Sequence, residues 1–107
     1  MSAIAPVEMS AAEESAANRT NAERSRIASL WQAAHDVEYA AISGSAIGLI
    51  TIGILQGRPK CMAVQAWIQA LWAEYYRRKA SASADTDFAA FAGCPHSVPE
   101  LMQELGL

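Results

Sequence analysis

The chain has 107 residues, 52% of them hydrophobic and 18% charged, with a net charge of −3. That length suits one domain, and since 23 of the hydrophobic residues are Ala, the core is small. Such a composition excludes a disordered acidic tail, a collagen and a disulfide scaffold, and the acidic balance leaves no whole-chain basic field for nucleic acid. The opening Met1-Ser2-Ala3-Ile4-Ala5-Pro6 is neither basic nor apolar enough for a secretory signal, so Cys61 and Cys94 are expected as reduced thiols in a cytoplasmic protein.

Residues 1–19 are Ala-, Ser- and Glu-rich with few large apolar side chains, and are expected to form a mobile segment. Ser10 and Glu13 have capping-box spacing there, enough for a frayed helix. A second box, Thr20 to Glu23, directly precedes Ile27, Leu30, Trp31, Ala34, Val37, Ala41 and Ile42 at steps of three and four. These predict an amphipathic helix from Thr20, interrupted at Ser43-Gly44-Ser45.

No charge occurs between Tyr39 and Gly57, and Ala46–Leu55 is almost wholly apolar. The predicted element is a short helix, hydrophobic all round and therefore fully enclosed, with Gly44, Gly48 and Gly53 admitting close neighbours. Gly57 is placed to cap it and Pro59 to begin a third helix running to Ala80. Arg77-Arg78-Lys79 close that helix, where cations favour the macrodipole. Residues 81–98 read as a linker with Phe88 and Phe91 as docking points, and 99–107 as a short C-terminal helix starting at Pro99 and stopped by Gly106. Residues 58–79 carry five bases and one acid, and residues 80–107 four acids and no base, so the tail is expected either to fold back onto the third helix or to offer an acidic, apolar peptide to a partner.

The expected architecture is all-α: residues 20–80 form a small antiparallel three-helix bundle, accompanied by the short C-terminal helix. At ~1.5 Å per residue the outer helices outreach the middle one by about 10 Å. The overhang leaves an aromatic surface to be covered by a second copy, a different protein or the chain's own C-terminal segment; association is the expectation, and the predicted contact residues are Trp31, Leu71, Trp72, Tyr75, Tyr76, Leu101, Met102 and Leu105.

No constellation in the sequence specifies a reaction. Cys94-Pro95-His96 has one intervening residue where zinc sites show pairs at two to four, so no metal is expected, with His35, Cys61, Cys94 and His96 read as core and turn residues. A Cys94 nucleophile with His35 or His96 and Asp36 or Glu38 has no support in local spacing. Glu13-Glu14 and the pair Asp85 and Asp87 read as solvated charges, and the glycines fit no phosphate loop, so no cofactor is expected. Tyr75-Tyr76-Arg77-Arg78-Lys79 is a small basic-aromatic patch that helix capping explains without a nucleic-acid ligand. The uncharged run 39–57 approaches the length of a membrane span but is diluted by Ser43, Gly44, Ser45, Thr51 and Gln56, so membrane insertion of holin type is the rival reading.

The stretch from Ile27 to Ala80 resembles small helical proteins encoded among the tail and accessory genes of tailed phages and prophages. The residues that carry the resemblance are Leu30-Trp31-Gln32-Ala33-Ala34-His35, Ile42-Ser43-Gly44-Ser45-Ala46 and Ala73-Glu74-Tyr75-Tyr76-Arg77-Arg78-Lys79, with the ending Pro95-His96-Ser97-Val98-Pro99-Glu100-Leu101. What the resemblance implies is a non-enzymatic part in virion assembly, or a factor that binds a host protein, in the bacterial cytoplasm or on the virion. The expected partner is a protein, either a second copy in a homo-oligomer or a phage or host protein.

Overall fold

A computed structural model describes residues 10–107, whose regular structure is all helical, with no strand among them. Helix α1 spans Ala11–Ala41, α2 Ala46–Leu55, α3 Pro59–Ala80 and α4 Val98–Glu104, with a single 3-10 turn at Ala89–Phe91. The first nine positions of the expected mobile segment lie outside the described residues. Positions 11–19 are helical: α1 begins at Ala11, capped by Ser10, whose hydroxyl accepts from the Glu13 amide at 3.2 Å. Thr20 is a helix-interior residue and its hydroxyl donates to the Ala16 carbonyl at 3.0 Å.

Helix α3 is the spine. Its C-terminal half packs against α1 through Leu30, Ala34, Leu71 and Tyr75, with Phe88 from the following loop closing the cluster. Its N-terminal half packs against α2 and α4 through Ile42, Ala46, Ile50, Cys61, Val64 and Leu101. The axis bends by 75° between α1 and α2, so those two helices engage different ends of α3. Gly53 brings α2 down onto Cys61: a Cβ there would lie 2.5 Å from Cys61 Cβ and closer still to its sulfur. Gly57 ends α2 as expected, with φ +68° and the Arg58 amide donating to the Gly53 carbonyl at 2.8 Å.

The overhang predicted from unequal helix lengths is covered by the chain itself. Residues 81–92 run back over it and bury Phe88 to 2% exposure against Leu30, Leu71 and Tyr75. Two arginines tie this loop down. Arg78 donates to the carbonyls of Asp85 (2.9 Å) and Asp87 (2.7 Å) and lies 4.1 Å from the Phe88 ring centroid. Arg26 reaches from α1 to the carbonyls of Arg78 (3.2 Å), Lys79 (2.9 Å) and Ser83 (2.6 Å), satisfying acceptors that the end of α3 leaves open. Asp85 and Asp87, expected as solvated charges, accept from the Asp87 and Ala89 amides at 2.9 Å each and fix the turn before the 3-10 segment.

The acidic tail folds back onto α3, but its target is backbone rather than a basic side chain. Arg58 at the N-cap of α3 makes no side-chain cap. Glu104 from α4 does the work instead, accepting from the Lys60 amide at 2.8 Å and the Cys61 amide at 3.2 Å. Helix α4 starts one residue before Pro99, with Ser97 and Glu100 forming a complete capping box.

Burial works to raise the Glu104 carboxyl, but the Lys60 and Cys61 amides outweigh it and hold the group below its ordinary value. The His96 ring, with the Ser97 amide and hydroxyl, holds Glu100 at about 2. Both groups therefore stay ionised in the fold at acidities that protonate the unfolded chain. Their contribution is complete above the ordinary carboxylate value of 4.5 and lost as pH falls through the depressed folded values. The expected thermal midpoint is flat above pH ~5 and declines towards pH ~2, with a shallower decline in Glu104→Gln, read by circular dichroism. An unchanged slope in that variant would remove Glu104 as the α3 cap.

Candidate interaction surface

Trp31, His35 and Tyr39 follow one another at intervals of four on α1, so their side chains share one helix face. The Trp31 and His35 rings stack at 4.8 Å and 13°, and His35 and Tyr39 at 5.8 Å and 20°. Trp72 of α3 joins the row, 6.2 Å from Trp31, and continues it edge-on to Tyr75 (5.4 Å) and from there to Tyr76 (5.1 Å). The Trp72 indole N–H donates to the Glu38 carboxylate, which clamps the two helices where the row crosses between them. Six rings thus form one continuous array, of which Trp31, Tyr39 and Tyr76 are exposed.

The predicted contact residues divide accordingly. Trp31, Tyr76 and Met102 are on the surface, whereas Trp72 and Leu105 are partly covered. Leu71, Tyr75 and Leu101 are core: the first two lie under Phe88 and Leu101 is sealed between α2 and α3, so they are corrected from contact residues to packing residues. His35 and Tyr39 were not among the expected contacts, although their spacing from Trp31 is the signal that finds them.

The larger departure is α2, predicted as fully enclosed. Only Ala46, Ile50 and Gly53 are buried, and Leu49 is partly covered. Ile47, Ile52, Ile54 and Leu55 face outward, with Leu55 83% exposed. A uniformly apolar helix of ten residues is here buried on one side, because α1 turns away and, among the described residues, α2 packs mainly against α3 and α4. At the α1–α2 junction a shallow open notch is lined by His35, Glu38, Tyr39, Ile42, Gly44 and Ile47, joining the aromatic row to the α2 face.

Several of the remaining polar groups are engaged locally. Arg77 and Arg78 both pair with Glu74, whose carboxyl they hold at about 2, leaving Lys79 alone of the expected basic patch without such a pairing to Glu74. Cys94 donates to the His96 carbonyl at 3.2 Å while the His96 ring turns to Glu100 at 3.0 Å, so the thiol and imidazole do not meet as nucleophile and base. His35 belongs to the aromatic stack rather than to the Cys94 neighbourhood. Burial pushes both the Cys61 and Cys94 thiols up, away from thiolate reactivity. Among the described residues no group of three or more His, Cys, Asp or Glu is arranged to hold a metal ion. Comparisons with family models, curated proteins and solved structures give no match to this chain.

Proposed function

We propose that this chain is a non-enzymatic protein-interaction factor, in its most concrete form a tail-associated or chaperone-like assembly accessory of a phage or prophage. The single observation that supports the reading is the uncovered apolar surface, in which the Trp31–Tyr39 row continues into the outward face of α2. Scattered apolar residues are ordinary on a protein surface, whereas a contiguous run on adjoining helices is a contact surface. The phage setting rests on the resemblance of Ile27–Ala80 and of the ending, and it carries with it a bacterial cytoplasmic or virion-associated location. A host protein bound and inhibited by the same surface is a variant of this reading. The finer architecture expected of residues 20–80, a small antiparallel three-helix bundle formed within the chain, belongs to the same reading.

Holin-type insertion of residues 39–57 is the second reading, favoured by the apolar exterior of α2. No single described helix is long and apolar enough to cross a membrane, and α1 and α2 would do so only as a pair bent by 75°. At ~1.5 Å per residue α2 is about 15 Å long, half of a bilayer core.

The test is a photo-crosslinking residue placed at Trp31, Tyr39 or Tyr76 in the producing cell, with Ala90, exposed on the 3-10 turn, as control. Adducts of defined mass with a protein, strongest at the three aromatic positions, are expected. Adducts at none of the three, or equally at Ala90, would sink the interaction reading.

A further inference from the structure

Within the interaction reading above, on which this step rests, we infer that the occupant of the outer α2 face is the same face of a second copy. The two α2 helices run antiparallel about a two-fold axis between Gly48 and Thr51. Several observations converge on that partner. Gly48 lies in mid-helix with nothing within 4 Å of where its Cβ would be, so no contact inside the chain requires glycine there. Glycine weakens a helix interior relative to alanine, and its use in an outward position suits the close approach of another backbone.

The face also carries a knob and a socket at opposite ends. Leu55, 83% exposed, projects from the last turn, and the notch lined by Tyr39, Gly44 and Ile47 opens at the first. One helix cannot fold its last residue into its own first turn. Antiparallel pairing about the proposed axis sets Leu55 of each copy opposite Gly44 of the other, Ile52 opposite Ile47, and Thr51 opposite Gly48. A contact in which the same patch serves both partners and closes on itself is the isologous type.

Charge and area agree with this choice. Self-pairing brings identical groups together across the axis, and residues 39–57 contain no charge to repel its own copy; the carboxylate that lines the notch, Glu38, accepts from the Trp72 indole of its own chain. The exposed parts of Tyr39, Ile47, Ile52, Ile54 and Leu55, with the small residues between them, offer at most about 600 Å² per copy when fully covered, so a pair buries up to ~1,200 Å², the lower end of the range for stable interfaces.

The experiment is light scattering and sedimentation of the full chain over a dilution series without detergent. The wild type is expected as a dimer. Leu55→Asp changes a side chain that the monomer leaves exposed, keeps its helicity by circular dichroism, and raises the dimer dissociation constant by at least ~100-fold. Gly48→Ala raises the thermal midpoint of the dilute chain yet weakens the dimer by about tenfold or more. A wild type that is monomeric throughout, an open ladder of sizes, or a dimer untouched by both substitutions overturns the pairing. So does a monomer that floats with phosphatidylcholine–phosphatidylglycerol vesicles, which assigns the α2 face to lipid. A monomer that still crosslinks to another protein through Tyr76 removes this pairing alone and leaves the interaction reading standing.

Discussion

Replacing Phe88 by alanine is expected to lower stability by about 3–5 kcal/mol, the range for removing a fully buried aromatic ring. Phe88 is 2% exposed and is the loop's main anchor in the cluster of Leu30, Ala34, Leu71 and Tyr75. Its removal leaves a cavity between α1 and α3 and deprives the Arg78 guanidinium of the ring 4.1 Å away. The carbonyl contacts of Arg26 and Arg78 do not replace that burial, because they hold the loop only at its edges. For a chain of this size the loss corresponds to a fall in thermal midpoint of more than ~10 °C. Released residues 81–92 would expose Leu71 and Tyr75, so dye binding or aggregation should accompany the destabilisation. Phe91→Ala, at a partly buried position, should have the smaller effect. Equal effects of the two substitutions would mean that Phe88 does not anchor the loop.

That loop marks a boundary of what the sequence conveys. Phe88 and Phe91 are legible as docking points because they are the large apolar residues in an otherwise small and polar stretch. Their destination is not, since it depends on α1 and α3 presenting a gap of matching size. Unequal helix lengths reveal the gap, but not which of the possible covers, a second copy, another protein or the chain's own C-terminal segment, fills it. Burial by a nearby segment of the same chain is entropically easier to arrange than capture of a partner, and Leu71 and Tyr75 are core for that reason.

Capping signals have a similar limit. Three Ser/Thr-x-x-Glu patterns occur, at Ser10, Thr20 and Ser97, and the first and third start helices. The middle one is overrun, because a helix already propagating from Ser10 needs only one more hydrogen bond per residue to pass Thr20. The α2 boundaries are readable from composition, with Gly57 and Pro59 as punctuation. Its degree of burial is not readable: an all-apolar decamer states that every side has a use, without saying which side is filled by its own chain. The aromatic row was half visible, in that Trp31 and Tyr76 stand out as large exposed rings while His35 and Tyr39 join only through the i, i+4 geometry of α1.

Gly53→Ala is expected to destabilise the fold by ~1–3 kcal/mol, the range for overpacking a filled core. The helix propensity gained on leaving glycine, up to about 1 kcal/mol, works in the opposite direction and is outweighed. The added methyl lands on Cys61, a fully buried residue, at 2.5 Å from its Cβ. The sulfur can rotate away, but the Cβ is fixed to the α3 backbone, so α2 and α3 must separate where Ile50, Val64 and Leu101 interdigitate. Chemical denaturation of Gly53→Ala, Cys61→Gly and the double variant measures this as a cycle. Exchanging which helix carries the glycine restores the approach, so the double variant should be more stable than the two separate losses predict, by at least ~1 kcal/mol. Additive losses would mean that the helices do not meet through this pair. Gly48, five residues ahead of Gly53 on α2, provides the opposite sign: with open space at its Cβ, alanine there should strengthen the isolated chain. Two glycines five residues apart in one apolar helix thus separate a contact the chain makes with itself from one it keeps open for another molecule.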